Sequence, residues 1–388
     1  MLTHLAGPYV IGIDAGGTKT RCVVLTLGGA IAGVGMGPGA NPNSGGDTAG
    51  ALTTALQEAL GTVDRSLILS GVFGIAGAGS AGRPAAVTAA RRAWQAVGLR
   101  GAPAVVTDIA VAFAAGTDAS KGIVVFSGTG AGAAVISDGA IVQRADGYGW
   151  LVGDEGSAVW LGKEAVRAAL AAFDGRGSPT LLTESVPRAL LGAAVVAELS
   201  ANAPRRAPRR TLALAGAPSS GAPGHGRRSG TAVLDDTAFG RPPGGPEPPS
   251  PGRAGPAGAP PECAPNPQLA QAIIKEVYGR PVAALGRLGP VVAAAADAGD
   301  PVARRITQEA AEWLLRDVDA VRPALPDPCA PVVMHGSVLR DGPVADAVRA
   351  GLRARFAADP RSAGDGAVGA AGLALRRLGF PLPPPQPG

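Results

Sequence analysis

Two short glycine-rich turns contain the residue types from which a phosphate-binding site can be built. The first turn lies in "DAGGTKT", which holds Asp14, Gly16, Gly17, Thr18 and Lys19. Its glycines stand too close to Thr-Lys-Thr for a G-x-x-x-x-G-K-[ST] phosphate loop, and an apolar strand follows instead of a helix. A turn whose backbone N–H groups point outward can still hold phosphate oxygens, because glycines permit close approach. A plain hairpin turn is the alternative, since Gly-Gly suits primed turns.

The second turn repeats this arrangement further along the chain. It consists of Ser127, Gly128, Thr129 and Gly130, and it also follows an apolar strand and precedes another strand. One glycine turn is weak evidence, whereas two at equivalent positions predict a phosphate chain held between two halves of the protein.

Three aspartates beside predicted strand or helix ends are candidates for chemistry. Asp14 closes an apolar strand, and because a carboxylate there is costly to desolvate, we expect it to hold Mg²⁺ through water. Asp108, after "APAVVT", and Asp154, in "GYGWLVGDEGS", could simply be helix N-caps. For Asp154 the surrounding glycines, two aromatic residues and a second carboxylate exceed what capping requires.

The predicted elements that position these residues occur in the same order twice. A strand, a glycine turn, two further strands and a helix start near residue 9 and again near residue 122. This order predicts an α/β protein with two similar domains built on mixed sheets. We place the N-terminal domain at residues 1–117 and the C-terminal domain at residues 118–388.

Residues 201–265 interrupt the second domain. Fourteen of these 65 residues are proline, and glycine, serine and arginine are abundant. Such a segment buries too little apolar surface to offset its ordering entropy, so we predict a disordered insertion. A basic interaction segment is the alternative, although no motif supports it.

Composition and charge restrict the class of protein. The chain has 388 residues, 46% hydrophobic and 17% charged, which is typical of a folded globular protein. Of the net charge of +5, residues 201–265 supply +4, from eight arginines and four acidic residues. The nearly neutral remainder argues against a nucleic-acid surface on the folded part.

The cysteines and the apolar segments indicate neither a metal site, nor a disulfide framework, nor a membrane-spanning segment. Cys22, Cys263 and Cys329 form no C-x-x-C pair, and their spacing indicates neither a zinc site nor a disulfide framework. The N-terminus lacks the regions of a signal peptide, and no uncharged apolar run reaches the length of a membrane span. We therefore expect a cytoplasmic protein without a membrane partner.

Taken together, six stretches resemble the N-acetylglucosamine kinase branch of the BadF/BadG-type ATPases, within the actin-like and sugar-kinase superfamily. They are "GIDAGGTKT", "VTDIAVAFAAG", "SGTGAGA", "GYGWLVGDEGSAVWLG", "VYGRPVA" and "MHGSVLRDG". The resemblance covers most of residues 9–195 and 266–380. It implies two ribonuclease H-like (actin-like ATPase) domains with mixed sheets, helices on both faces and an interdomain cleft that closes over ATP and an amino sugar. It also implies a homodimer.

The resemblance assigns the nucleotide-binding residues. It implies that the first and second turns bind the phosphates, with Asp14 beside Mg²⁺, and that Gly336 and Ser337 form the adenosine loop. The family usually has a second glycine where His335 stands. For Lys19, a phosphate contact and a solvated position both stay open. The implied cofactor-binding set is Asp14, Gly16, Gly17, Thr18, Lys19, Ser127, Gly128, Thr129, Gly130, Gly336 and Ser337.

The resemblance also assigns the sugar-binding residues. It implies that Asp108 faces the sugar and accepts the proton of the 6-hydroxyl as that oxygen attacks the γ-phosphate. "GAGS" at residues 77–80 stands where the family recognises the N-acetyl side. Asn41, which the local sequence alone makes a turn residue, is assigned to the sugar. The implied substrate-binding set is Asn41, Asp108, Thr129, Gly149, Trp150 and Asp154.

Three functions are compatible with these features. The first is an ATP-dependent kinase that makes N-acetylglucosamine 6-phosphate, with glucosamine and N-acetylmuramic acid as alternative substrates. The second is an ATPase activator of the 2-hydroxyacyl-CoA dehydratase type, but the three cysteines lack the pairing that an iron–sulfur cluster needs. The third is a non-catalytic sugar or nucleotide sensor, which would not need both Asp14 and Asp108.

Overall fold

The computed structural model describes residues 7–42, 45–79, 81–201 and 266–380. Apart from Ala201, the insertion predicted at residues 201–265 lies outside the described residues. Cys263 and the last residue of the "GAGS" stretch lie outside them as well.

The first half of the chain forms a mixed five-stranded sheet in the order β3-β2-β1-β4-β5. β1, β2 and β3 are antiparallel, whereas β4 and β5 run parallel to β1, so the carboxyl ends of three strands meet at one edge. Its strands are β1 (Tyr9–Ala15), β2 (Lys19–Thr26), β3 (Ile31–Pro38), β4 (Ile68–Ile75) and β5 (Ala104–Thr107). The accompanying helices are α1 (Thr48–Leu60), α2 (Arg83–Ala96) and α3 (Asp108–Gly116), with a 3₁₀ turn at Arg65–Leu67.

The second half repeats this pattern in a sheet of order β10-β9-β6-β7-β8, in which β6 pairs antiparallel with β7 and parallel with β9. Its strands are β6 (Lys121–Ser127), β7 (Ala131–Ser137), β8 (Ala140–Asp146), β9 (Val332–His335) and β10 (Arg361–Ser362). Its helices are α4 (Ala158–Phe173), α5 (Leu182–Leu191), α6 (Ala193–Ala201), α7 (Pro267–Tyr278), α8 (Gly289–Asp297), α9 (Pro301–Val321) and α10 (Pro343–Arg353). Further 3₁₀ turns lie at Val282–Leu288, Arg322–Ala324 and Ser337–Leu339, and α11 (Gly366–Arg377) is the last described helix.

The alternation of apolar residues along β1 explains why helices cover both faces of the first sheet. Successive strand residues point to opposite faces. Ile11 packs into a core with Leu52 of α1, whereas its neighbour Val10 packs into a core with Val111 of α3 and Leu375 of α11. That second core also includes apolar residues of β6, β7 and β9, so α3 and α11 lie between the two sheets. The prediction of mixed sheets covered on both faces is confirmed.

Helix α11 returns from the end of the chain to the first sheet. It packs so closely on β1 that a Cβ at Gly12 would overlap backbone atoms of Ala367 and Ala371. Most of the buried residues of α11 are alanine or glycine, with Leu373 and Leu375 as the exceptions. Small residues at the contact with Gly12 let the helix approach the strand closely. The predicted domain boundary at residues 117 and 118 falls between α3 and β6, and stays a prediction.

None of the described helices is by itself both long and apolar enough to cross a membrane. Among the described helices, one sharply bent pair, Val282–Asp297 and Pro301–Ala324, meets the length and composition criteria jointly.

Candidate active site

The first turn is a three-residue connection, residues 16–18, between β1 and β2. Ala15 pairs with Thr20, and Gly16 N donates to the Lys19 carbonyl over 2.9 Å. Gly17, Thr18 and Lys19 are exposed, and a Cβ on Gly17 would meet nothing within 4 Å. The turn therefore presents its tip to open space, as a turn that receives a ligand must.

Asp14 lies beside this turn in a group of carboxylates. Gly366, the first residue of α11, packs so closely that a Cβ there would overlap the Asp14 carboxylate. Burial, and then the nearby charges of Asp108 and Asp365, raise the pKa of Asp14 to about 7, while Lys19 opposes the shift. Asp365 is already engaged, since it caps α11 at Ala367 N and forms a 2.6 Å ion pair with Arg21.

This surrounding fits a magnesium ion that is held mainly by waters and phosphates. Asp14 and Asp108 concentrate negative charge that a cation would relieve, and no arginine is paired with either of them among the described residues. The described residues also contain no group of three or more His, Cys, Asp or Glu side chains that could enclose a metal. Mg²⁺ characteristically binds one or two carboxylates and keeps its remaining positions for water and phosphate.

The second turn is hydrogen-bonded to the start of α4 and to the loop between β8 and α4. Gly128 N donates to the Gly130 carbonyl over 2.9 Å, and the Gly128 carbonyl accepts from Ala158 N over 2.8 Å. The buried Ser127 hydroxyl donates to the Gly156 carbonyl over 2.8 Å. The Ser127 side chain is therefore used within the protein and the residue is fully buried, so its phosphate contact stays a prediction. Thr129 is exposed at the tip of the turn.

Asp146, which the sequence analysis did not single out, organises the loop that follows β8. Its Oδ1 accepts from Asp154 N over 2.9 Å and its Oδ2 from Glu155 N over 3.1 Å. Asp146 and Asp154 both adopt a positive φ, 58° and 59°, which aspartate tolerates better than most residues. The Asp-Gly pair after an apolar strand was the signal that could have identified Asp146.

The capping role that local sequence suggests for two aspartates is wrong in both cases. Thr107 caps α3, accepting from Ala110 N over 3.3 Å, which places Asp108 in the first turn of the helix. Ser157 caps α4, accepting from Trp160 N over 3.0 Å. Asp154 instead accepts from Ala131 N, at the start of β7, over 3.3 Å. Neither Asp108 nor Asp154 is therefore needed as a helix cap.

Asp108 and Asp154 face one cavity of about 600 Å³ between the two sheets. The lining contains the predicted residues Asn41, Asp108, Gly130, Gly149 and Asp154, and also Gly77 and Gly79 of the "GAGS" stretch. Thr129 and Trp150 are not part of this lining, and Trp150 is 46% exposed in the loop after β8. Side chains that the sequence analysis missed also line the cavity, namely Thr107, Ile109, Phe126, Ile141, Arg144 and Tyr148.

The two aspartates in the cavity share an environment that favours the neutral acid. Burial raises the pKa of Asp108, and the N–H groups of Ile109 and of Asp108 itself oppose part of that rise. Burial also raises the pKa of Asp154, an effect that the N–H of Ala131 opposes. A carboxylate with a raised pKa at the wall of a cavity is a stronger base than an ordinary aspartate carboxylate.

A second, mostly apolar cavity of about 640 Å³ lies beside the start of α4. Its lining includes Ser337, which was predicted to bind the nucleotide, and the acidic residues Asp297 and Asp341. Parts of α4, α8, α9 and α10 form the rest of the wall. Gly336 has φ 103°, and a Cβ there would overlap the Ser127 carbonyl, so only glycine permits this approach. His335 is aligned with Phe126 in the β9–β6 ladder, and burial lowers its pKa.

Comparison with known proteins identifies one family. The sequence model of the BadF/BadG/BcrA/BcrD ATPase family matches residues 11–374. An N-acetylmuramic acid/N-acetylglucosamine kinase of Clostridium acetobutylicum is 35% identical over 176 residues, which are 45% of this chain and 57% of that protein. The chain thus matches little more than half the length of this relative.

Solved structures show the same fold. A protein from Chromobacterium violaceum, provisionally named an N-acetylglucosamine kinase, superposes with a TM-score of 0.58 at 23% identity, over 94% of this chain and 98% of the other. A second protein with that provisional name, from Porphyromonas gingivalis, has a TM-score of 0.57 at 18% identity, over 95% and 99%.

Proposed function

Because this chain belongs to the BadF/BadG/BcrA/BcrD ATPase family, we propose that it is an ATP-dependent kinase of an amino sugar. The observation that supports this most directly is the 600 Å³ cavity, in which Asp108 and Asp154 face the space beside the second turn. The cavity joins a candidate base to a candidate phosphate site, as transfer of a phosphoryl group to a bound hydroxyl requires.

Asp108 is the general base of the proposed reaction. The 6-hydroxyl oxygen of the sugar forms a bond to the γ-phosphorus of ATP, and the bond from that phosphorus to the β,γ-bridging oxygen breaks. The hydroxyl proton passes to the Asp108 carboxylate, and ADP leaves with the bridging oxygen. The raised pKa of Asp108 makes it a better proton acceptor than an ordinary aspartate.

The two turns and the second cavity provide the nucleotide site. Gly17 and Thr18 of the first turn and Thr129 and Gly130 of the second would offer N–H groups to the phosphates, whereas the N–H groups of Gly16 and Gly128 are used within their own turns. Ser337 borders the space proposed for adenosine, and Gly336 precedes it in the same loop. Asp14 is the residue that would hold Mg²⁺, whose charge, when bound, neutralises the phosphate oxygens. Lys19 is exposed at the turn, with room to approach a phosphate.

The proposed substrate is an N-acetylated hexosamine. Asn41, Gly149 and Asp154 line the cavity with Asp108 and are assigned to the sugar hydroxyls. The Clostridium relative is named for N-acetylmuramic acid and N-acetylglucosamine, and both provisional names concern N-acetylglucosamine. N-acetylglucosamine is therefore the first substrate to test, with glucosamine and N-acetylmuramic acid next. The cytoplasmic location and the homodimer stay predictions.

The described cysteines disfavour the activator alternative. Cys22 is fully buried in β2, where burial raises the pKa of its thiol, and Cys329 is exposed just before β9. A cluster bridged between two copies needs thiolates at the surface, and only one of these two cysteines is there.

A coupled ADP-release assay tests the proposal. ATP turnover is measured without sugar and with N-acetylglucosamine, glucosamine, N-acetylmuramic acid, N-acetylmannosamine or glucose. We expect N-acetylglucosamine to raise turnover at least tenfold and to yield the 6-phosphate, identified by NMR. Turnover that no sugar raises would refute the kinase proposal, and sugar-independent turnover would favour the activator function.

A further inference from the structure

Arg144 is the single basic residue among the described residues that line the 600 Å³ cavity. It lies on β8, two residues before Asp146, and its side chain is exposed. Its guanidinium carbon lies 5.6 Å from the centre of the Tyr148 ring, which lines the same cavity. A guanidinium placed over an aromatic ring is held by the ring's negative face, and its N–H donors stay available at the edge.

No carboxylate in the described part of the chain forms an ion pair with this guanidinium. Every described ion pair involves another arginine, although Asp154 lines the same cavity. Arg144 is near enough to lower the pKa of Asp154 slightly, but Asp154 directs its Oδ1 to Ala131 N. The arginine is thus positioned at the cavity with its N–H groups uncommitted.

The charge of the cavity makes this arginine important for one kind of substrate. The described lining holds two aspartates, Asp108 and Asp154, and the proposed nucleotide brings further negative charge beside them. A neutral sugar needs no cation there. A sugar that carries a carboxylate would be repelled unless a cation met it, and arginine binds carboxylates through two parallel hydrogen bonds.

We propose that Arg144 binds the carboxylate of an acidic N-acetylhexosamine and thereby determines whether this site accepts such a sugar beside its neutral counterpart. This inference rests on the proposed kinase function and specifies its substrate. N-acetylmuramic acid is the suitable probe, because it is N-acetylglucosamine with a lactyl ether carboxylate on the 3-oxygen. Tyr148 acts as a positioning residue that holds the guanidinium toward the cavity.

The test is the selectivity for the acidic over the neutral sugar, expressed as the ratio of their kcat/KM values. It is measured for the full-length protein and for Arg144→Gln, Arg144→Lys and Tyr148→Leu. Arg305→Gln serves as the matched control, because Arg305 is exposed on α9 and has no part in the cavity. The carboxamide of N-acetylmuramic acid serves as the uncharged analogue of the probe.

We expect Arg144→Gln to lower the selectivity ratio at least tenfold, and Arg144→Lys to lower it less. The carboxamide should respond to Arg144→Gln as N-acetylglucosamine does, and Arg305→Gln should leave the ratio unchanged. Tyr148→Leu should lower the ratio in the same direction as Arg144→Gln.

Three results would overturn the inference. Arg144→Gln could lower kcat/KM equally for both sugars, which would show that Arg144 acts through Asp154. It could raise the KM for ATP alone, which would place Arg144 on the phosphates. The wild-type protein could phosphorylate N-acetylglucosamine and not N-acetylmuramic acid, which would refute the acidic substrate and leave the kinase function standing. Absence of turnover with every sugar would instead refute the kinase function.

Discussion

Replacement of Asp108 by Asn tests the reasoning about the site most directly. Asparagine has nearly the same shape as aspartate and cannot accept the proton of the sugar hydroxyl. Because Thr107 caps α3 and Asp108 does not, the change leaves the helix start intact. It also removes a buried negative charge beside Asp14, whose pKa Asp108 helps to raise.

The expected loss of activity follows from the role of a general base. Such a group contributes about 10²- to 10⁴-fold to a rate, which corresponds to about 3–5 kcal/mol of transition-state stabilisation. We therefore expect kcat to fall by about that factor, while binding of ATP is retained. The Tm should be unchanged or higher, since the carboxylate that burial disfavours has been removed.

The measurements are kcat with N-acetylglucosamine, calorimetric titration with ATP and thermal unfolding followed by circular dichroism. Asp47→Asn is the matched control, because Asp47 caps α1 at Gly50 N outside the cavity and asparagine also caps helices. We expect this control to retain its turnover. A folded Asp108→Asn variant with kcat within tenfold of wild type would show that Asp108 is not the base.

Three further predictions concern the nucleotide loop, the acidic neighbours of Asp146 and the insertion. Gly336→Ala should weaken ATP binding at least tenfold and lower the Tm, because φ is 103° and the new Cβ would overlap the Ser127 carbonyl; unchanged ATP affinity by calorimetry would contradict the assigned loop. Burial and the charges of Asp146 and Glu155 raise the pKa of Asp317 to about 7, so this group lowers stability as pH rises from its ordinary value of 3.8 toward 7. Asp317→Asn should therefore stabilise the protein at pH 8 by about 1–2 kcal/mol, after allowance for the partial exposure of the group, and by much less at pH 4; urea unfolding at both pH values measures this, and an equal effect at both would contradict it. Deletion of residues 205–260 should preserve folding and turnover, because Asn266 Nδ2 donates to the Leu199 carbonyl over 3.2 Å and thus holds the flanking helices together; loss of folding would show that the segment is structural.

Local sequence was sufficient to predict the repeated strands and the two glycine turns. Apolar runs of strand length, each ended by glycine, specify a buried strand and its turn without reference to the rest of the chain. The presence of Asp14 and Asp108 at strand ends is likewise visible in the sequence, since a carboxylate that ends an apolar run is unusual. Their proximity then follows from the parallel pairing of β1, β4 and β5.

The details of the loop after β8 were not accessible from local sequence. Trp150 belongs to the substrate-binding set that the resemblance implies, whereas Tyr148 and Arg144 line the cavity and Trp150 does not. Which of two aromatic residues faces inward depends on the backbone path between Asp146 and Asp154. The hydrogen bonds from the loop to Asp146 determine that path. Asp146 and Asp154 both have a positive φ, which the apolar periodicity of the sequence does not indicate.

The sequence by itself thus determined the element types, their repeated order and the presence of the candidate residues Asp14, Asp108 and Asp154 at or near the ends of elements. These follow from interactions over a few residues, namely apolar periodicity, glycine turns and strand-end carboxylates. The tertiary structure alone decided that α11 returns to β1, that Gly366 encloses Asp14 and that Gly336 touches the second turn. Each of these contacts joins residues far apart in the chain. They depend on close packing between elements, which a pattern of neighbouring residues does not encode.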